Sequence, residues 1–579
     1  MAGITAFISK NKITPTDFSF RPKNQYCYET NYLHRKIESN NFIVEQFTNS
    51  KFLKDKILEE DNAFLIGTEG VILNLTDLQK KYDDENTFDL IKKMYLAEKE
   101  NFIKQLKGDF SIFIFDKKVE KWLIFTNQTG SKRIYYFENS DYFIFSSELK
   151  EISFLLSNLK IEKNLNTAAA YMLLTCGFML EDNTIIDDVK RLTAGNYLVF
   201  ENKKNEIKEY FHLRNISHTS DTKAEIIEKM DALFSEAVRL EFEKDKEYNY
   251  KHIATLSGGL DSRMTILIAH KLGYTQQLNF TFSQSDYLEE KIAKHIASDY
   301  LHDFLFHSLD GGSYLKDVDE IAYYNDALII YAGAAQVLHA IKDINFANYG
   351  LIHTGQIGDA VLGSFLSKPY PVPPTAEMGV YSKQLVSKIQ PFFETIKQKY
   401  PTEELYKFYN RAFSCALNGN FYFDIVSQTT SPFLDVDFLI YCYSIPEKYK
   451  YKEQIYIDWL AAKHPEFANY VWEKTGISPL KSNSIKKYFD VKYYLRMSKK
   501  FFDKMSGTMK SGMNPFDLWL KENTELKKNI DDYFYKNICL VNDENLQNDC
   551  KFLYENGNSL DKFNCLTLLA ALKLHFYEK

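Results

Sequence analysis

The sequence predicts two architectures in one chain: an α+β portion of layered antiparallel sheets with helices, then a parallel α/β portion with helical additions. Three observations predict it. Over roughly the first 150 residues, short apolar runs bounded by turn residues follow one another closely, the pattern of consecutive antiparallel strands. From about residue 222, strand-like runs alternate with apolar residues at helical spacing, the mark of a parallel sheet crossed by helices. The length of 579 residues exceeds what one hydrophobic core holds, so two or more domains are expected.

The early strands are read in NAFLIG, GVILNL, FSIFIFD, KWLIFTN, RIYYFEN and YFIFSSE. FSIFIF is apolar on both faces, so its strand should be covered on both sides. A helical stretch, TFDLIKKMYLAEKENFIKQL, interrupts these strands. The polar stretch HLRNISHTSDTK separates the two regimes and sets the expected domains at 1–212 and 222–579. Roughly the last 160 residues read mainly as helices, PFDLWLKENTELKKNIDDYF and LDKFNCLTLLAALKLHF among them. No internal repeat or low-complexity tract interrupts this order.

Charge and composition exclude several classes. Lys plus Arg number 71 against 78 Asp plus Glu, a net charge of -7, which argues against a nucleic-acid partner. No apolar run approaches the ~20 residues that span a bilayer, and the start of the chain has no signal-peptide pattern. A cytoplasmic protein without a membrane span is expected. The 7 cysteines are odd in number and lack CxxC spacing. They read as small buried apolar residues rather than a disulfide framework or zinc site. The lysine- and aromatic-rich stretch 481–510 reads as a solvated helical face or loop, or else as a cradle for an acidic substrate.

The most informative stretch is HIATLSGGLDSRMTILIAHKLGY, residues 252–274. A short strand ends at Leu256, and Met264, Leu267, Ile268 and Leu272 share one helical face that Gly273 should stop. Gly258 and Gly259 lie between them and let backbone N–H groups approach a ligand. The turn opens a helix N-terminus, which favours an anion, and Ser257 and Ser262 add hydroxyls. The loop therefore suits phosphate, although it lacks the lysine of the Walker pattern. Asp261 beside phosphate needs a cation between them, and magnesium fills that role. A second carboxylate, Asp359 in LIHTGQIGDAVLGSF, follows another strand into a glycine turn. In a parallel sheet both turns lie at the carboxyl ends of the strands, where ligands bind.

LSGGLDSR resembles the pyrophosphate loop of ATP-pyrophosphatase enzymes. The chain as a whole resembles the asparagine synthetase family, through GDFSIFIFD, GSKRIYY, FSSELKEI and AGNYLVF, and later SPFLDVDFLIYCYSIPEKYKYK, in family order. The resemblance implies an N-terminal Ntn-type (class II amidotransferase) domain and a C-terminal ATP-pyrophosphatase domain. It implies an enzyme that uses ATP and magnesium to adenylate a carboxylate, small or carrier-linked, and forms an amide with ammonia or an amine. On that resemblance Ser257, Gly258, Gly259, Asp261 and Ser262 contact pyrophosphate and metal, and Asp359 is the second metal carboxylate. Leu256, Thr281, Phe282, Thr354 and Gly355 belong to the same nucleotide site. Lys452, and after it Lys450, stand for the family's reaction-centre lysine. Family members often dimerise through the N-terminal domain.

Two departures stand out. The family's glutaminase begins Met-Cys-Gly-Ile, and this chain begins with Met1, Ala2, Gly3 and Ile4. A methyl group is no nucleophile. Glu69, Lys107 and the stretch Thr126 to Gly130 also depart from the family's glutamine pocket, so a natural domain with its glutaminase lost is expected. The second departure is Gln356, where asparagine-forming members tend to carry a Glu. Gln356 can orient a substrate but cannot take a proton, and Glu289 or Glu290 are the candidate replacements. The expected function is an AMP-forming carbon–nitrogen ligase. The alternatives are a non-catalytic ATP-binding scaffold and an asparagine synthetase in the strict sense.

Overall fold

The computed structural model describes residues 3–11, 20–21, 32–482, 498 and 512–577. Ala2, Cys27 and nearly all of the 481–510 stretch lie outside the described residues.

The first part of the chain supplies strands β1 (Gly3–Ser9), β2 (Tyr32–Glu38), β3 (Phe42–Asn49), β4 (Leu58–Glu60), β5 (Phe64–Ile72) and β6 (Gly108–Asp116). It continues with β7 (Lys121–Thr126), β8 (Tyr135–Glu138), β9 (Tyr142–Ser146), β10 (Val189–Arg191), β11 (Asn196–Glu201) and β12 (Lys204–Glu209). They form two antiparallel sheets, ordered β10-β8-β9-β1-β3-β2 and β12-β11-β7-β6-β5-β4. The alternation along β6 shows how they stack. Phe110, Ile112 and Ile114 enter a core with the helices Leu75–Tyr82 and Thr87–Glu98, whereas Phe113 and Phe115 face β1 and β9. The other face of the first sheet, through Phe7, Tyr135 and Ile144, packs on the helices Leu149–Asn158 and Thr167–Cys176. The result is four layers, helix–sheet–sheet–helix, with β6 covered on both faces as its sequence predicts.

NAFLIG and GVILNL, read as two strands, belong to one. β5 pairs continuously with β6 from Phe64–Asp116 to Ile72–Gly108, so a long partner absorbs the intervening turn-like residues. The pattern missed β1, β2 and β3. β2 and β3 carry polar residues at most or alternate positions. PFDLWLKENTELKKNIDDYF breaks into Phe516–Glu522 and Thr524–Asn537, because the Asn523 side chain caps the Leu526 N–H.

The third sheet is parallel throughout: β13 (Lys251–Thr255), β14 (Gln277–Ser283), β15 (Asp303–Ser308), β16 (Tyr349–His353) and β17 (Thr429–Thr430), ordered β15-β14-β13-β16-β17. The helix Lys223–Glu247 opens this part with a Thr222–Glu225 capping box. HLRNISHTSDTK is docked rather than loose. His212 stacks on Tyr409, and the Thr219 N–H donates to the Ser444 carbonyl at 2.8 Å.

Buried charge crosses between the two sheet systems. Lys244 meets Asp55 at 3.0 Å and Lys150 meets Asp326 at 3.0 Å, all four side chains almost wholly buried. One continuous apolar core runs from Phe7 to Leu574. The described cysteines form no disulfide, and all but Cys539 are buried. Among the described residues, no helix is long and apolar enough to cross a membrane.

Candidate functional site

In the parallel sheet, β14 and β15 extend to one side of β13, and β16 and β17 to the other. The order reverses between β13 and β16, which opens a crevice at their carboxyl ends. The loop after β13 runs into the helix Asp261–Lys271, and the loop after β16 carries Thr354 to Asp359.

The first loop is braced by its own serines. The Ser257 N–H donates to Ser262 Oγ at 2.9 Å, the two hydroxyls lie 3.0 Å apart, and the Gly259 N–H donates to Ser257 Oγ at 3.2 Å. Neither Gly258 nor Gly259 adopts the left-handed conformation that a glycine turn invites. Gly258 is needed instead for space, since a Cβ there would lie 2.8 Å from that of Glu473. The second loop presses onto the helix start, and a Cβ on Gly355 would lie 2.2 Å from the Ser262 nitrogen. Ile357 sits at φ +62°, a region that β-branched residues avoid. This strain brings Asp359 round, so that its N–H donates to Asp261 Oδ2 at 3.0 Å.

Two carboxylates thus meet at the rim. Loss of surrounding water and the nearby Asp359 push the Asp261 carboxyl well above its usual range, against the Asp359 N–H and the Tyr456 hydroxyl. Glu453, close to Asp359, is also pushed up by burial, and Lys474 pairs with it.

A cavity of about 270 Å³ opens beside them. Leu256, Ser257, Gly259, Asp261 and Ser262 line it from the first loop. Thr281 and Phe282 come from β14, and Thr354, Gly355 and Gln356 from the second loop. Gly258 lies behind the loop, and Asp359 is exposed at the rim. Glu289 also borders the cavity, and burial with the nearby Glu473 raises its carboxyl to about 7. Glu290 is not in the lining and accepts the Asp286 N–H at 2.9 Å. Gln356 donates to the Ala416 carbonyl, and its own side-chain oxygen is buried without a hydrogen-bond partner among the described residues.

The two lysines stand apart from this cavity. Lys450 is fully buried and paired with Glu404 at 2.7 Å. Lys452 is exposed, in the left-handed region at φ +57°, with its ammonium 5.2 Å from the Tyr451 ring centre. Sequence reasoning missed Asn420, Phe423 and Met513 in the lining, together with Glu453, Tyr456 and Lys474 at the rim. They come from distant segments, and no local pattern marks them.

Behind β16 lies a buried relay. His353 is held between Asp245 at 2.8 Å and Glu241 at 3.3 Å. Glu241 accepts from Thr430, whose carbonyl accepts from Thr354. The two carboxylates outweigh burial and raise the imidazole to about 9. Asp245, His252 and His353 carry ligand-type atoms within 4.8 Å of one another. Asp245 Oδ2 already takes both rings at 2.8 Å, so the group reads as an ion-paired support for the loop above.

Parts of the chain resemble known proteins. Residues 54–211 match the model of the glutamine amidotransferase domain. A Methanocaldococcus jannaschii protein assigned as a glutamine-hydrolysing asparagine synthetase is 26% identical over 372 residues, 61% of this chain and 68% of the relative. A glutamine-hydrolysing asparagine synthetase of Bacillus subtilis is 27% identical over 265 residues, 42% of this chain but only 34% of its own length. The solved Bacillus subtilis glutamine phosphoribosylpyrophosphate amidotransferase, complexed with ADP and GMP, overlaps 40% of this chain and 50% of its own. Its identity to this chain is 10% and the TM-score is 0.21. The chain therefore contains a glutamine amidotransferase domain and is a distant homologue of asparagine synthetases over much of its length.

Proposed function

We propose that this chain is an ATP-dependent, AMP-forming ligase that activates a carboxylate and joins it to ammonia or an amine, with an inactive glutaminase half. The observation that carries the reading is the convergence of the Ser257–Ser262 loop with Asp261 and Asp359 at the sheet's switch point. Two carboxylates pressed together, neither ion-paired among the described residues, suit a magnesium ion, and Asp261 and Asp359 would hold it. Bound there, magnesium would supply charge neutralisation between carboxylates and phosphate oxygens.

The chain's own groups have separable tasks. The N–H groups of the loop and the hydroxyls of Ser257 and Ser262 hold phosphate oxygens at a helix N-terminus. Thr281 and Phe282 border the nucleoside end. The substrate carboxylate attacks the α-phosphorus and pyrophosphate leaves. The amine nitrogen then attacks the acyl carbon, AMP leaves, and the nitrogen gives up a proton. Glu289, titrating near 7, is the base within the cavity. The unpartnered oxygen of Gln356 accepts an N–H of the incoming amine and orients it.

For the other half, the reading rests on Ala2 and on pocket positions that have taken structural work. Glu69 accepts the Thr48 hydroxyl at 2.9 Å, and Lys107 pairs with Asp435 and Asp437. A second reading, asparagine synthetase in the strict sense, draws on the relatives' names.

The test is release of pyrophosphate and AMP from ATP and magnesium with a panel of carboxylates including aspartate and uronic acids. Each is offered with ammonium, with glutamine or with no donor. Turnover with ammonium but not glutamine, lost in Asp261→Ala, is the expected result. Response to aspartate alone selects the second reading. Nucleotide binding with no turnover on any acid favours a scaffold instead.

A further inference from the structure

A second cavity, of about 230 Å³, lies in the seam between the amidotransferase-like half and the parallel-sheet half. It shares no lining residue with the nucleotide cavity. Its volume falls just below the ~300 Å³ at which pockets for drug-sized molecules begin, so an occupant is small.

Its charge is unbalanced. Two of its carboxylates are already taken: Glu181 by Lys399 at 3.1 Å, Asn410 and Tyr400, and Glu209 by both oxygens to Arg214 at 2.8 Å. Two buried guanidiniums remain. Arg191, 8% exposed, donates to the Glu181 carbonyl and to Ser414 Oγ at 2.7 Å, both neutral acceptors. Arg133, 5% exposed, lies over the Phe421 ring, 3.0 Å from its centre, gives one long bond of 3.4 Å to the Asn325 carbonyl, and has a buried Nε with no acceptor among the described residues. Among the described residues neither has a carboxylate within 4.0 Å. Unpaired buried charge is costly, and two like charges bordering one cavity compound the cost. A guanidinium is built to receive the paired oxygens of a carboxylate or phosphate.

We propose that this seam cavity binds a small oxyanion, a carboxylate or phosphate metabolite, through Arg133 and Arg191. The proposal is independent of the ligase reading. The segment that lines this cavity through Ser414 and Asn418 reaches the nucleotide cavity at Asn420 and Phe423, so an occupant here touches the same stretch of chain.

The test is calorimetric titration of the full chain with inorganic phosphate and, separately, with succinate, against chloride at matched ionic strength. Saturable binding of one or both is expected, weakened about tenfold or more in Arg191→Gln. Phosphate alone points to a phosphate ester, and succinate alone to an organic acid. Arg191 is buried, so Thr193→Tyr, which narrows the cavity from a half-buried position, serves as a second variant. If Arg191→Gln fails to fold, Thr193→Tyr decides. No saturable binding of either anion to the wild type overturns the proposal. So does affinity unchanged in every folded variant.

Discussion

Replacing Glu289 by Gln should make the ligand-free protein more stable at alkaline pH and a worse enzyme. Glu289 borders the cavity between the two loops and titrates near 7, against 4.5 for a free glutamate, because of burial and the nearby Glu473. Below pH 4.5 the carboxyl is protonated folded and unfolded, and contributes nothing. Between 4.5 and 7 the unfolded chain gives up the proton and the folded chain keeps it, so stability falls as pH rises; above 7 the loss is constant. At about 1.4 kcal/mol per pH unit, the rise from 4.5 to about 7 gives a full loss of about 3.5 kcal/mol, and about 2 kcal/mol once water's reach to a half-buried group is allowed for. Glu289→Gln removes it. Urea unfolding without nucleotide should show the variant ahead by about that amount at pH 8, and by less than about 1 kcal/mol at pH 5. Turnover in the same variant should fall by roughly 10²- to 10⁴-fold if Glu289 is the base. A stability difference equal at the two pH values, or a variant weaker at pH 8, would refute the electrostatic argument.

Two further predictions separate structural from chemical roles. Lys450→Ala should cost about 3–5 kcal/mol in urea unfolding, because it strands the buried Glu404 carboxyl. Lys452→Ala, on an exposed side chain, should change stability by less than about 0.5 kcal/mol, so any loss of turnover there is chemical. Gly355→Ala puts a methyl 2.2 Å from the Ser262 nitrogen and 2.3 Å from the Asp261 carbonyl carbon. Forcing the two loops apart should lower pyrophosphate release by about 10²-fold, since a displacement near ~1 Å has that effect on positioned groups.

What the sequence made legible follows from how local each signal is. The Ser257–Ser262 loop is contiguous, its glycines and acid follow a strand, and the structure sets it on a cavity wall. Asp359 was readable because a second strand and glycine turn repeat the same logic. β1, β2 and β3 were harder to see: β1 is buried at nearly every position, and β2 and β3 are polar at several. Gly258 was read as a turn residue, and its real constraint is Glu473, 215 positions away in the chain. Glu453, Tyr456 and Lys474 reach the rim only because the helix Gln454–Lys463 packs beneath it. Such contacts have no spacing to read.

The buried pairs Lys244–Asp55 and Lys150–Asp326 bear on whether the chain can be divided. Each half completes the other's interior: a deletion that removed the amidotransferase-like half would take Asp55 from Lys244, leaving it Glu247 alone, and Lys150 from Asp326. The amidotransferase-like half is therefore part of the parallel-sheet half's interior, whatever chemistry it carries. Expressed as two polypeptides, the halves should survive only as an obligate pair.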